Sequence, residues 1–245
     1  MRLDPIRGLV LALAVLMAAP VWAGSAKKKP VKVGYIEFPP VFWTAPDKTP
    51  KGYLIDLARM TLERSGYAWT AVSRPTRRMA VELVDGRIDL WIGLPTLPEF
   101  RGTTLIGPST VATIELNAYW MESTPPINGW QDLLGKSAVV VHGFSYGGKI
   151  LNLKDPANGT RVCEAYSHEQ GLAMLKAGRC EYFLDYTGPM REVLRKHPIP
   201  ELRKHRLQAL DAHFVVTRKR PDARQLLDDL ENAYAELVAE GAWPP

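Results

Sequence analysis

The chain has 245 residues, 46% of them hydrophobic, and a formal net charge of +5. That composition supplies a sizeable core, as one large domain or two small ones. The charge excess is modest and spread along the chain, which argues against a concentrated basic stripe for nucleic acid.

The first segment reads as an export signal. Arg2 and Arg7 form a positive n-region, Gly8 to Ala19 an apolar stretch, and Val21-Trp22-Ala23 a small-residue cleavage site. The apolar stretch is shorter than the roughly 20 residues that a spanning helix needs. Residues 1–23 are therefore expected to be cleaved, leaving a soluble periplasmic protein, and no cysteine lies near the cleavage point to accept a lipid. Lys27-Lys28-Lys29 then reads as a solvated tail.

Val31 to Tyr35 alternates as a short strand and leads into the aromatic loop Phe38-Pro39-Pro40-Val41-Phe42-Trp43. Gly52 opens a helix with Leu54, Leu57, Thr61 and Leu62 on one face, ended by Gly66 at the C-terminal capping position. A strand over 68–72, a helix over 75–84 and a strand over 88–92 follow, and this alternation predicts a parallel sheet with helical crossovers. Ala112 to Trp120 contains no Gly or Pro and reads as an extended connector, closed by Pro125-Pro126.

Beyond it the pattern restarts. A short helix is expected near Trp130 to Leu134, a strand over 138–141, a helix near 149–153 and a strand over 162–165. Ser167 and Gln170 have capping-box spacing at the head of the next helix, and Tyr182 to Tyr186 forms a further strand. The terminal section is a strand over 212–217 and a helix over 221–240, with Leu226, Leu230, Ala233, Tyr234 and Leu237 at helical spacing.

An internal echo organises these elements. Leu83-Val84-Asp85-Gly86-Arg87-Ile88-Asp89 returns as Leu175-Lys176-Ala177-Gly178-Arg179-Cys180-Glu181, each copy joining a helix to an apolar strand. Two α/β lobes with two crossings follow: residues 24–118 and 212–245 in the first, 119–211 in the second. A cleft between such lobes can enclose a small molecule, and each echo is followed by a charged candidate, Arg101 and Asp185. Cys163 and Cys180 are the only thiols; an oxidising compartment allows them to pair, and the sequence leaves that pairing open. With no His pattern beside them they are not a zinc site.

In order and spacing the chain resembles the periplasmic solute-binding proteins of the polar amino-acid type, family 3, which serve ABC importers. The marks are Phe38-Pro39-Pro40, Gly52-Tyr53-Leu54-Ile55-Asp56-Leu57-Ala58, Gly86-Arg87-Ile88-Asp89, Thr96 with Arg101, Gly178 to Glu181 with Asp185, and a closing Gly241-Ala242-Trp243. The resemblance implies a type II periplasmic-binding fold, each lobe a mixed sheet flanked by helices, closing on its ligand by a hinge. It implies that Arg101 takes a ligand carboxylate and Asp185 its ammonium, the pairing that a planar guanidinium and a carboxylate suit. Thr96 and the backbone of the loop from Leu94 would add donors, and Phe38, with Phe42 or Trp43, an apolar wall. A monomer, an ABC permease partner and no cofactor are implied as well.

Two departures bear on the ligand. Pro98 stands where many relatives have a hydroxyl residue three places before the Arg, and the turn Gly143-Phe144-Ser145-Tyr146 carries bulky aromatics that tighten or reshape the pocket. Gly143-Phe144-Ser145-Tyr146-Gly147 also fits a nucleophile elbow, which would need Asp185 and His213 as partners of Ser145. No Gly-rich oxyanion segment precedes it, so a ligand-facing role for Ser145 at a helix start is preferred. Two further alternatives are a dehydratase on the same fold, with Glu37 or Glu181 as acid by residue type only, and a ligand sensor without a transporter.

Overall fold

The computed structural model describes residues 28–244, so the export-signal reading of residues 1–23 lies outside the described residues. The first half of the chain builds β1 (Val31–Tyr35), the short pair β2 (Trp43–Thr44) and β3 (Pro50–Lys51), helix α1 (Tyr53–Arg64), β4 (Trp69–Ser73), α2 (Thr76–Val84) and β5 (Leu90–Gly93). Leu54, Leu57, Ala58 and Leu62 of α1 are fully buried, the one-sided stripe that its spacing predicts. Each buried leucine contributes about 1.5–3 kcal/mol relative to exposure.

β6 (Thr104–Ile106) and the ten-residue β7 (Ala112–Met121) lead into the second half. There β8 (Ser137–Val141), α3 (Ile150–Leu153), β9 (Arg161–Ala165), α4 (His168–Lys176), β10 (Tyr182–Tyr186) and α5 (Thr187–Lys196) follow. β11 (Leu202–Thr217) and α6 (Ala223–Ala239) complete the chain.

Strand order explains the echo. The main path of the sheet runs β4-β1-β5-β11-β7-β10-β8-β9. β1 is parallel to β4 and β5, β8 is parallel to β9 and β10, and β11 and β7 lie between these triplets. Each half is thus a β-α-β-α-β unit. In both echo copies the helix ends on a left-handed glycine, Gly86 at φ 78° and Gly178 at φ 64°. The amides of Arg87 and Arg179 then reach back to the carbonyls of Glu82 and Met174, which satisfies helix-end acceptors and turns the chain into the next strand.

β11 is the main departure from the sequence expectation, being a sixteen-residue strand where only 212–217 is predicted. Residues 202–212 pair antiparallel with nearly all of β7, and 213–216 pair with β5. The polar run Arg203-Lys204-His205-Arg206 and a register shift between Arg206 and Gln208 hide the strand's period of two. α5 is absent from the sequence reading. Its Pro189 sits in the helix's first turn, where the amide it lacks has no partner to lose.

One buried charge steadies α2 beneath the cleft. Glu82 is 4% exposed and accepts from Arg74 Nε at 3.0 Å and Arg78 Nε at 2.8 Å. The hydrogen bond from Arg78, reinforced by Arg74, holds its carboxyl below the usual value of 4.5. A carboxyl held low contributes stability above its unfolded pKa and loses it as pH falls through the folded value. Glu82→Gln is accordingly expected to lower the urea midpoint at pH 7, with the deficit shrinking as pH falls below 4.5 and through the folded value. An equal deficit at neutral and acidic pH would remove the ion pair as the cause.

Candidate functional site

Where the halves meet, their walls line a partly open cavity of about 50 Å³. From the first half come Phe38, Met79, Trp91 and Leu94; from the second, Phe144, Ser145 and Tyr186; Ile114 of the connector β7 closes one side. No Asp, Glu, Lys, Arg or His is among the lining residues.

Local backbone structure sets the first wall. Phe38 N–H donates to Phe42 O at 2.8 Å, while the amides of Val41 and Phe42 return to Phe38 O, which makes the aromatic loop a tight knuckle. The Phe38 ring, 4% exposed, is gripped edge-on from the other half by Tyr186 at 5.1 Å, Phe144 at 5.5 Å and His168 at 6.2 Å. Phe42 stacks on Trp91 at 5.3 Å. On β5, Trp91 and Gly93 share one face because side chains alternate along a strand. The Trp91 ring lies over Gly93, where an added Cβ would stand 2.2 Å from its Cζ2. Trp91 Nε1 is buried and has no hydrogen-bond partner among the described residues, a condition that costs about 1–3 kcal/mol.

The second wall is anchored from behind. Tyr146, fully buried at φ 53°, accepts a 2.6 Å hydrogen bond from Val141 N–H and stacks on Tyr186 at 5.7 Å. A non-glycine residue in that backbone region is strained by about 1–3 kcal/mol, and such strain gathers at functional loops. Asp185 lies beneath, 0% exposed, accepting from His168 Nδ1–H at 2.7 Å and from Tyr186 N–H at 2.8 Å. Burial raises the Asp185 carboxyl above its ordinary pKa, while the His168 hydrogen bond opposes that rise. Burial and the charge of Asp185 together push the Tyr186 phenol up as well.

Of the residues singled out from sequence, Phe38, Leu94 and Ser145 line the cavity. Asp185 stands behind the wall, bonded to His168. Trp43 is half-buried in β2, Thr96 and Arg101 are exposed, and none of the three lines the cavity. A 3₁₀ turn over Pro98–Phe100 explains the outward position of Arg101: it carries Phe100 into the core at 1% exposure and leaves the next side chain in solvent. Ser145, Asp185 and His213 are not brought together as a catalytic set, since His213 Nδ1 bonds Gly107 O at 3.0 Å and Asp185 is taken by His168. Glu37 is held by Thr44 and Ser73, and Glu181 by Ser137; neither lines the cavity. Trp91, Tyr186 and His168 are the neighbours that sequence reasoning missed. A large residue followed two places on by glycine, Trp91 and Gly93, is the signal that marks the first.

Cys163 and Cys180 are joined by a disulfide, which decides the pairing that the sequence left open. Among the described residues no group of three or more His, Cys, Asp or Glu side chains is placed to hold a metal ion. No helix there is long and apolar enough to cross a membrane.

No protein-family model and no curated protein matches the sequence. Solved structures do match. A histidine kinase sensor domain with similarity to periplasmic binding proteins superposes with a TM-score of 0.73 at 20% identity, covering 88% of this chain and 93% of that one. The fold is the type II periplasmic-binding fold. An ancestral arginine-binding protein bound to arginine gives 0.70 at 16% identity over 88% and 95% of the two chains. The substrate-binding protein of an amino acid ABC transporter gives 0.67 at 16% over 87% and 95%. In this type II fold β7 and β11 are the two strands that join the halves, and the cavity lies between those halves.

Proposed function

We propose that the protein is an extracytoplasmic solute-binding protein that closes its two halves over a small molecule and presents the loaded form to an inner-membrane ABC permease. One observation carries this reading: the cavity draws its walls from both β-α-β-α-β units, so a solute in it touches both. Such a ligand stabilises the shut form by its differential affinity for the two arrangements. The lobe limits read from sequence, 24–118 with 212–245 and 119–211, serve this proposal with β7 and β11 as the hinge. The Cys163–Cys180 bond supports a site of action outside the cytoplasm. The arginine-binding and amino-acid-transporter neighbours support an organic solute as cargo.

The test is a thermal-shift screen of the purified protein against amino acids, aromatic amides, polyamines and opines, with small-angle scattering on each stabilising compound. A stabilising compound that also shrinks the radius of gyration is the expected result; conversion of the compound to a product would replace binding with catalysis. The sensor-domain neighbour favours one second reading, in which the same closure signals rather than delivers. Co-purification with a permease separates the two.

Arg101→Ala is expected to leave the affinity of a stabilising compound unchanged within about twofold, because the side chain is exposed and outside the lining. Loss of binding in calorimetry would return the guanidinium to the site and restore the carboxylate role that the resemblance implies.

A further inference from the structure

The geometry points to a neutral, flat, apolar solute carrying one hydrogen-bond acceptor, held by Trp91 Nε1–H, as the class of molecule this cleft takes. The inference rests on the reading of the cleft as a solute site and narrows it. Three independent observations converge. The lining has no acidic, basic or imidazole side chain, and a charged head group transferred against such walls would lose hydration without a counter-charge. Asp185 is 0% exposed and already bonded to His168 and to its neighbour's amide, so it offers no free carboxylate to a ligand ammonium. Trp91 is 6% exposed and lines the cavity, yet its one polar atom is unpartnered.

The position of that atom gives the ligand its orientation. A Cβ built on Gly93 would lie 2.8 Å from Trp91 Nε1, and Gly93 is itself part of the cavity wall. The indole ring fills the space that a side chain at position 93 would take, which places Trp91 N–H against the Gly93 wall of the cavity. An indole N–H donates and never accepts, so the partner must be a carbonyl, amide or ether oxygen or an unprotonated ring nitrogen. Edge-to-face and offset contacts with Phe38, Phe144 and Tyr186 favour a planar ring for the body of the molecule.

Three compounds sharing a phenyl ring test the proposal: benzamide, toluene and L-phenylalanine, with L-arginine as a fourth arm. Binding in the cleft is read as protection of a Ser145→Cys variant from maleimide, and affinity by titration of the wild type. Benzamide is expected to protect and to bind roughly threefold to tenfold tighter than toluene, the range that one net hydrogen bond gives. Trp91→Phe should erase that advantage and leave toluene unchanged. In the wild type, the Trp91 indole ¹⁵N–¹H signal should move on adding benzamide and stay still on adding toluene, a readout that holds even if the variant folds poorly. Tighter protection by L-phenylalanine or L-arginine would overturn the neutral class while leaving solute binding intact, and equal affinity for benzamide and toluene would overturn the role of Trp91. Failure of all four to protect position 145 would overturn the neutral class and the cleft reading together.

Discussion

Gly52→Ala is expected to destabilise the protein by about 2–6 kcal/mol, the sum of backbone strain and overpacking of roughly 1–3 kcal/mol each. Gly52 precedes α1 with φ 121° and ψ 153°, a conformation that side-chain-bearing residues avoid. A Cβ there would stand 2.1 Å from Val41 O, 2.6 Å from Val41 C and 2.8 Å from Phe42 Cα. All three are backbone atoms, so no rotamer change relieves the overlap. Because Leu54 N–H also donates to Val41 O, the clash falls where the aromatic loop is tied to the first helix. The variant should therefore show both a lower urea midpoint and weaker solute binding. An unchanged midpoint would mean that the loop and α1 are not rigidly joined.

Cys163→Ser with Cys180→Ser is expected to cost about 3 kcal/mol, the chain-entropy value for a closed loop of this length, where the cysteines are 17 residues apart. The bond ties β9 to the turn between α4 and β10, beside the buried cluster of Tyr119, Val139, Leu172, Leu175 and Phe183. That cluster belongs to the second half. Hydrogen exchange should accordingly quicken in β8, β9 and β10 of the double variant, with α1 and α6 little changed. Uniform quickening over both halves would show that they unfold as one unit.

Much of this architecture was legible because its signals are local. The echo at Gly86 and Gly178 marks a left-handed helix end followed by a buried strand, and both copies fold in that way. The stripes on α1 and α6 are visible for the same reason, each element burying one face. The strand over 202–211 was not legible, because its partner β7 lies far back in the chain and its own residues are mostly charged or polar. Site residues divide along similar lines. Phe38 and Ser145 stand at conspicuous punctuation, a Pro-rich loop and a Gly-rich turn. Arg101 rests on the echo and the resemblance, and neither shows which way a 3₁₀ turn faces. His168 carries no local mark as Asp185's partner, since only the fold of α4 over β10 brings them together.

The grip on Phe38 has a kinetic consequence. Three aromatic contacts cross between the halves at that one ring, and pairs of this kind are each worth about 0.5–1.5 kcal/mol beyond the area they bury. Parting the halves breaks all three together, so once they have shut on a guest the ring acts as a latch against their separation. Escape will then be slow, and trimming the phenyl ring should speed it.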